Sequence, residues 1–234
     1  MNAKASLILA LGIVVGCFLL GRYVYDSRAA QDSIRVVGSA TKRVEADIVK
    51  WRLTIARTAT EQAISEGYRR IHDDVRSTIA QLKSQGVGDD QITIQSINTF
   101  PQFGPGGQKS GYNVQQSILI VSNRVSDIEK LAVDPKSILA EGIILENSSL
   151  EYFLSDLPKI KKELLAAAMR DARARADEIA AASGVAIRKL LNSSVGVFQI
   201  TEPFSTEVSD YGMYNTSTRQ KDITVTVRAS FLVE

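Results

Sequence analysis

Hydrophobic and polar positions along the 234-residue chain follow three different rhythms. The first is an unbroken apolar run. Ala5 to Gly21 carries no charge over 17 positions, and at about 1.5 Å per residue it predicts a helix of roughly 25 Å. Tyr23 and Tyr25 prolong the run with side chains that favour a membrane interface. The second rhythm, period two, begins after the polar stretch 26–33. Ile34–Ala40 and Val44–Thr58 read as strands joined by a turn near Lys42-Arg43. In the second of them Val49, Trp51, Leu53 and Ile55 oppose Lys50, Arg52 and Thr54, which predicts a half-buried antiparallel strand. The third rhythm is helical. Ile64, Tyr68, Ile71, Val75, Ile79 and Leu82 recur at steps of three and four, with Thr58 and Glu61 as a capping box and Gly86 as a left-handed stop.

The alternation then returns. Ile92, Ile94 and Ile97 open a strand whose partner runs from Tyr112 to Ser122, with a long hairpin tip, residues 100–111, between them. Ser126 opens a short helix that Pro135 interrupts. Residues 143–154 form a strand. A second long helix starts at Ser155-Asp156 with Pro158 in its first turn, shows the stripe Ile160, Leu164, Ala168, Ala172, Ala176 and Ala180, and closes at Gly184. Val185 to Ile200 is predicted to be one strand, 201–219 a polar loop, and Ile223 to Val233 a final strand alternating with Thr224, Thr226, Arg228 and Ser230. The order β-β-α-β-β-α-β-α-β-β predicts an α+β fold of antiparallel hairpins packed with two long helices, preceded by one N-terminal transmembrane helix. The expected organisation is an anchor over 1–25, a linker over 26–33 and one domain over 34–234.

Charge sharpens the division. With Lys4 and Arg22 set aside, 26 Lys and Arg face 26 Asp and Glu in residues 25–234, so the body is neutral and the excess of +2 sits on the tether. A neutral body without a basic run excludes nucleic acid as the main partner. The membrane, met through residues 5–24, is the expected partner instead. Three processing routes fit the segment: a retained signal anchor, lipidation at Cys17 within Val14-Val15-Gly16-Cys17, or cleavage. Phe18-Leu19-Leu20 continue the apolar run past Cys17, which favours the anchor, with the body in the periplasm.

One His and one Cys leave no thiol, disulfide or Cys/His metal set in the body. His72 lies in the mixed-charge run Arg69–Asp74 and reads as a solvated helix face. Ser39 and Lys42 match Ser-x-x-Lys on a strand entering a turn, where the lysine is not brought onto the serine. Asp73-Asp74 and Asp89-Asp90 have no calcium-loop spacing. Gly104-Pro105-Gly106-Gly107 joins two strands, so no helix N-terminus stands behind it to receive a phosphate. Trp51 reads as core. No catalytic, cofactor or metal residue is assigned.

In order along the chain, Val37-Gly38-x-Ala40, Val44-x-Ala46-Asp47 and Trp51, then Leu157-Pro158-Lys159-Ile160, the Ala168/Ala172/Ala176/Ala180 helix to Ser183-Gly184, and Gly196-Val197-Phe198-Gln199-Ile200 carry a family likeness. The body resembles SIMPL-domain proteins, bacterial exported proteins formerly grouped as a domain of unknown function. The resemblance implies an exported cell-envelope domain, membrane-anchored or periplasmic, with no established catalytic residues and a tendency to self-assemble. A non-enzymatic, membrane-anchored binding or self-assembling protein linked to envelope or oxidative stress is therefore the expectation. The alternatives are a periplasmic enzyme whose carboxylates, tyrosines or lysines converge from distant segments, and a small-ligand or peptide carrier. The carrier would use the 100–111 hairpin and the 201–219 loop with Phe100, Phe103, Phe204, Tyr211 and Tyr214.

Overall fold

The computed structural model describes residues 3–28, 33–140 and 142–234, with side chains described from 11–24 and from residue 33 onward. The side chains of residues 5–10 in the predicted apolar span, and residues 29–32 of the predicted linker, lie outside the described residues. Helix α1 spans Ala3–Arg28. Its described apolar side chains are exposed, and nothing comes within 4 Å of a Cβ built on Gly12, Gly16 or Gly21. Among the described residues no helix is long and apolar enough to cross a membrane.

Two compact units share the chain: one made of residues 1–40, 163–197 and 225–234, the other of 41–162 and 198–224. The second unit is built on β2 (Ile48–Ala59), which lies inside the antiparallel order β3-β4-β2-β5, where β3 is Ile92–Phe103, β4 is Lys109–Ser122 and β5 is Ile144–Phe153. Helices α2 (Ile64–Ser84) and α3 (Val125–Val133) cover one face. Their Ile71, Val75, Leu82 and Ile128 join Val49, Trp51, Leu53, Ile55, Val114, Ile118 and Ile120 in one core. The predicted inward row of β2 is buried throughout, and Trp51 Nε1 donates to Ser148 Oγ at 2.9 Å.

Three boundaries differ from expectation for identifiable reasons. Strand β1 runs Ser33–Glu45, and the turn falls at Ala46-Asp47 instead of Lys42-Arg43. Arg43 stays extended because its guanidinium makes two 2.8 Å bonds to Asp222 on the last strand, β9 (Gln220–Val233). The Thr58 cap does not form: Thr58 still pairs with Asn113 in the ladder, and α2 is entered through a 3-10 turn at Glu61–Ala63. The long hairpin tip contracts to Gly104–Gln108, because Phe100 and Pro101 keep pairing with Asn113 and Tyr112. Gly86, at φ +84°, does end α2 as predicted, with Val87 N donating to Leu82 O at 3.0 Å.

The first unit pairs β6 (Ile187–Val195) with β9 and sets helix α4 (Leu157–Ser183) against the sheet from Glu163 onward. Ala172 and Ala176 of its alanine stripe cluster with Val36, Ala229 and Phe231. The strand predicted over 185–200 is broken: β6 stops at Val195, and β7 (Gln199–Thr201) belongs to the other unit, beside β8 (Met213–Tyr214). The break falls at Gly196, whose N donates to Thr226 O at 2.9 Å and where a Cβ would meet Thr226 Oγ1 at 2.6 Å. Strand β8 puts regular structure inside the loop expected over 201–219.

Candidate functional site

A group of titratable side chains in the second unit surrounds Arg219. Its Nη1 donates to Glu129 Oε2 at 2.9 Å and Ser126 Oγ at 3.0 Å. Its Nε lies 2.7 Å from Glu45 Oε1 as an ion pair without an aligned hydrogen bond. Burial, and then the neighbouring Glu129 carboxylate, pushes the Tyr152 phenol up to about 12. Two residues on, Lys221 is fully buried; its ammonium donates to Asn215 O and to Thr218 O, the latter at 2.8 Å, and burial lowers it to about 8. Asp47 accepts from Ser155 N at 2.8 Å and from the Ser155 hydroxyl. Burial raises this carboxyl, and the Ser155 bonds outweigh it, leaving Asp47 below its ordinary value.

A cleft of about 420 Å³ lies here, lined by Glu45, Asp47, Arg124, Ser126, Asp127 and Arg219 among others. Its chemistry is that of a clamp. Arg219 is committed to two carboxylates and a hydroxyl, Lys221 to two main-chain carbonyls, and Asp47 to Ser155, two residues before α4. These bonds fix the path of residues 213–221 and the entry into the long helix. Composition hid this cluster, but parity exposes Lys221: it continues the inward row Ile223, Val225, Val227 one step earlier.

The positions singled out by sequence are scattered. His72 is exposed beside Asp73. Ser39 and Lys42 lie on β1, where Ser39 N donates to Asp171 Oδ2 at 2.8 Å. Asp89 and Asp90 form a 3-10 turn. Phe204 adopts φ +63° with the Arg43 guanidinium 4.3 Å above its ring, and Tyr211 is exposed. Among the described residues no ring contact joins Phe100 or Phe103 to Phe204, Tyr211 or Tyr214; Tyr214 pairs with Phe153 at 6.0 Å. Among those residues no group of three or more His, Cys, Asp or Glu could hold a metal ion.

The feature with binding chemistry is the outer strand β3. Its sequence, ITIQSINTFPQF, contains no charge. Ile94, Ile97, Phe100 and Phe103 are exposed at 53%, 36%, 52% and 66%. Its free edge offers unpaired backbone groups, a ready template for another strand. The opposite edge strand, β5, carries Glu146 and Glu151. Strand β3 relies instead on a bulge between Ile94 and Ile97 and on Pro101.

The residues behind the family likeness have structural jobs. Gly38 lies against the main chain of α4, Ala46 is buried, Asp47 holds Ser155, Trp51 is core, and Gly196 packs on Thr226. The family model described as SIMPL, protein of unknown function (DUF541), matches residues 34–231. The chain belongs to the SIMPL family. No curated protein matches it. Among solved structures, this SIMPL chain is similar to one titled a crystal structure of a hydrolase from Listeria innocua. The identity is 8%, covering 83% of this chain and 91% of that one, with a TM-score of 0.22. A superposition that poor bears on neither fold nor activity.

Proposed function

We propose that this SIMPL protein is a non-enzymatic, membrane-tethered module of the cell envelope that assembles with further copies of itself through the free edge of β3. The observation that carries the reading is that edge: twelve residues, uncharged, with four exposed apolar side chains. Sheets guard their edges with charge, and one that does not is suited to pairing with an equally uncharged strand. A second β3 brings no like-charge repulsion, whereas two copies of β5 would oppose glutamates.

The tether is supported by α1. Leu11, Phe18 and Leu20 are exposed at 67%, 67% and 66%, and an apolar surface of this kind calls for lipid or a partner. The charge-free run from Ala5 to Gly21 supports the same reading. A reporter fused after residue 60 tests the topology. Activity on the outer side of the cytoplasmic membrane is expected, and activity confined to the cytoplasm contradicts it. A photo-reactive residue at position 97 tests the edge. The expected product is a β3-to-β3 adduct between copies; no intermolecular product in intact membranes contradicts assembly through that strand.

A further inference from the structure

The first unit holds a second polar feature that the clamp and the β3 edge do not use. On the sheet face opposite α4, a cavity of about 460 Å³ is lined by Arg35 of β1, Arg228 and Ser230 of β9, and Asn192, Ser193 and Ser194 of β6. Parity places them there. Val36 and Ala229 turn inward to the alanines of α4, so Arg35 and Arg228 project the other way. Register brings Ser194 opposite Arg228 and Asn192 opposite Ser230. No acidic residue lines the cavity. Arg173, Arg175 and Arg188 of the same unit each hold a carboxylate, whereas Arg35 and Arg228 have none within 4 Å among the described residues. Two guanidinium forks, hydroxyls and a side-chain amide form a donor set suited to a phosphoryl oxyanion.

Chain length says where such an anion would come from. Only six residues lie between Arg28, the end of α1, and Arg35, and the seven steps from one to the other, fully extended, span at most about 25 Å. A body tethered by α1 therefore keeps this cavity near the bilayer surface. Val37, which also lines it, is 47% exposed and offers an apolar contact beside the charges. We infer that the Arg35–Arg228 cavity receives the phosphate headgroup of an anionic phospholipid; this rests on the tether proposed above.

The test uses the full chain. Flotation with phosphatidylcholine vesicles first examines the tether alone: failure to float contradicts the tether and takes the headgroup assignment with it. Native mass spectrometry from micelles then compares retained phosphatidylglycerol with phosphatidylcholine of the same acyl chains. A preference of about tenfold for phosphatidylglycerol is expected from paired charge-assisted contacts. It is lost in the Arg35→Gln/Arg228→Gln double variant and kept in Arg170→Gln, which removes a positive charge elsewhere in this unit. A chain that floats but retains both lipids equally overturns the proposal, as does an Arg170→Gln loss matching the double variant. Displacement of the lipid by inorganic phosphate at the lipid's own concentration overturns the headgroup assignment in favour of soluble phosphate.

Discussion

Gly38 on β1 lies directly against Ala172 on α4: a Cβ built on Gly38 would sit 2.7 Å from Ala172 Cα, and closer still to Ala172 N and Ala168 O. Helix and strand backbones meet here with no side chain between them, which explains why the helix presents alanine at 168, 172, 176 and 180. Gly38→Ala drives a methyl group into main chain that cannot rotate away. A loss of at least about 2 kcal/mol is expected, which for a domain of this size lowers Tm by roughly 4–8 °C. Thermal unfolding followed by circular dichroism checks it; an unchanged Tm removes the close-contact account of the family's glycine.

Much of this arrangement could be read before the fold was known. Period two in β2 and β9 and the four-residue steps of α4 each identified a buried row, because a single sheet or helix face decides those positions. The errors fall where a long-range bond overrides a local signal. Lys42-Arg43 looks like a turn, but Arg43 is held extended by Asp222, 179 residues away. Thr58-x-x-Glu61 looks like a cap, but the ladder to Asn113 takes the threonine first. Parity places Lys221 in the inward row, but that a lysine can stay buried there depends on carbonyls from residues 215 and 218 folding over it. The Arg35–Arg228 cavity joins residues nearly two hundred positions apart, a distance that no motif search spans.

Lys221 gives a pH signature. Its folded value, lowered by burial to about 8, lies below the unfolded lysine value of 10.5. Between these values the unfolded chain binds the extra proton, so stability rises with pH from about 8 to 10. Above pH 10, Tyr152, raised to about 12, acts in the opposite direction because the folded state keeps its proton longer. Denaturant midpoints at pH 7.5 and 9.5 should show the rise in the native chain and lose it in Lys221→Met. A rise that survives the substitution assigns the effect to another group.

Asp47 acts at the acid end. Its folded value is lowered, so its contribution is present above the unfolded carboxylate value near 3.9 and is lost as pH falls through the folded one. Asp47→Ala removes the acceptor of Ser155 N and Oγ at the entry to α4, at a cost of up to about 1 kcal/mol near neutrality, reduced by its exposure. The gap between native and variant should narrow below pH 4. A gap that is constant with pH shows that the carboxylate charge is not what matters.

Arg219 tests the clamp. Lysine in its place keeps the charge but cannot reach Glu45, Glu129 and Ser126 together from one planar fork. Arg219→Lys should cost about 1–2 kcal/mol, less than a fully buried pair because the side chain is one-third exposed. It should also speed amide exchange in residues 213–218. Native exchange rates there would show that the loop is held by other contacts.

Assembly through β3 is decided by the mass of the full chain extracted in mild detergent, measured by light scattering for the native sequence and for Ile97→Lys. Ile97 is 36% exposed, so the charge is placed at the edge without entering the core. The account predicts a multimer for the native chain and a folded monomer, with unchanged circular dichroism, for Ile97→Lys. A native chain that stays monomeric at every concentration, or a variant that assembles as the native chain does, contradicts it.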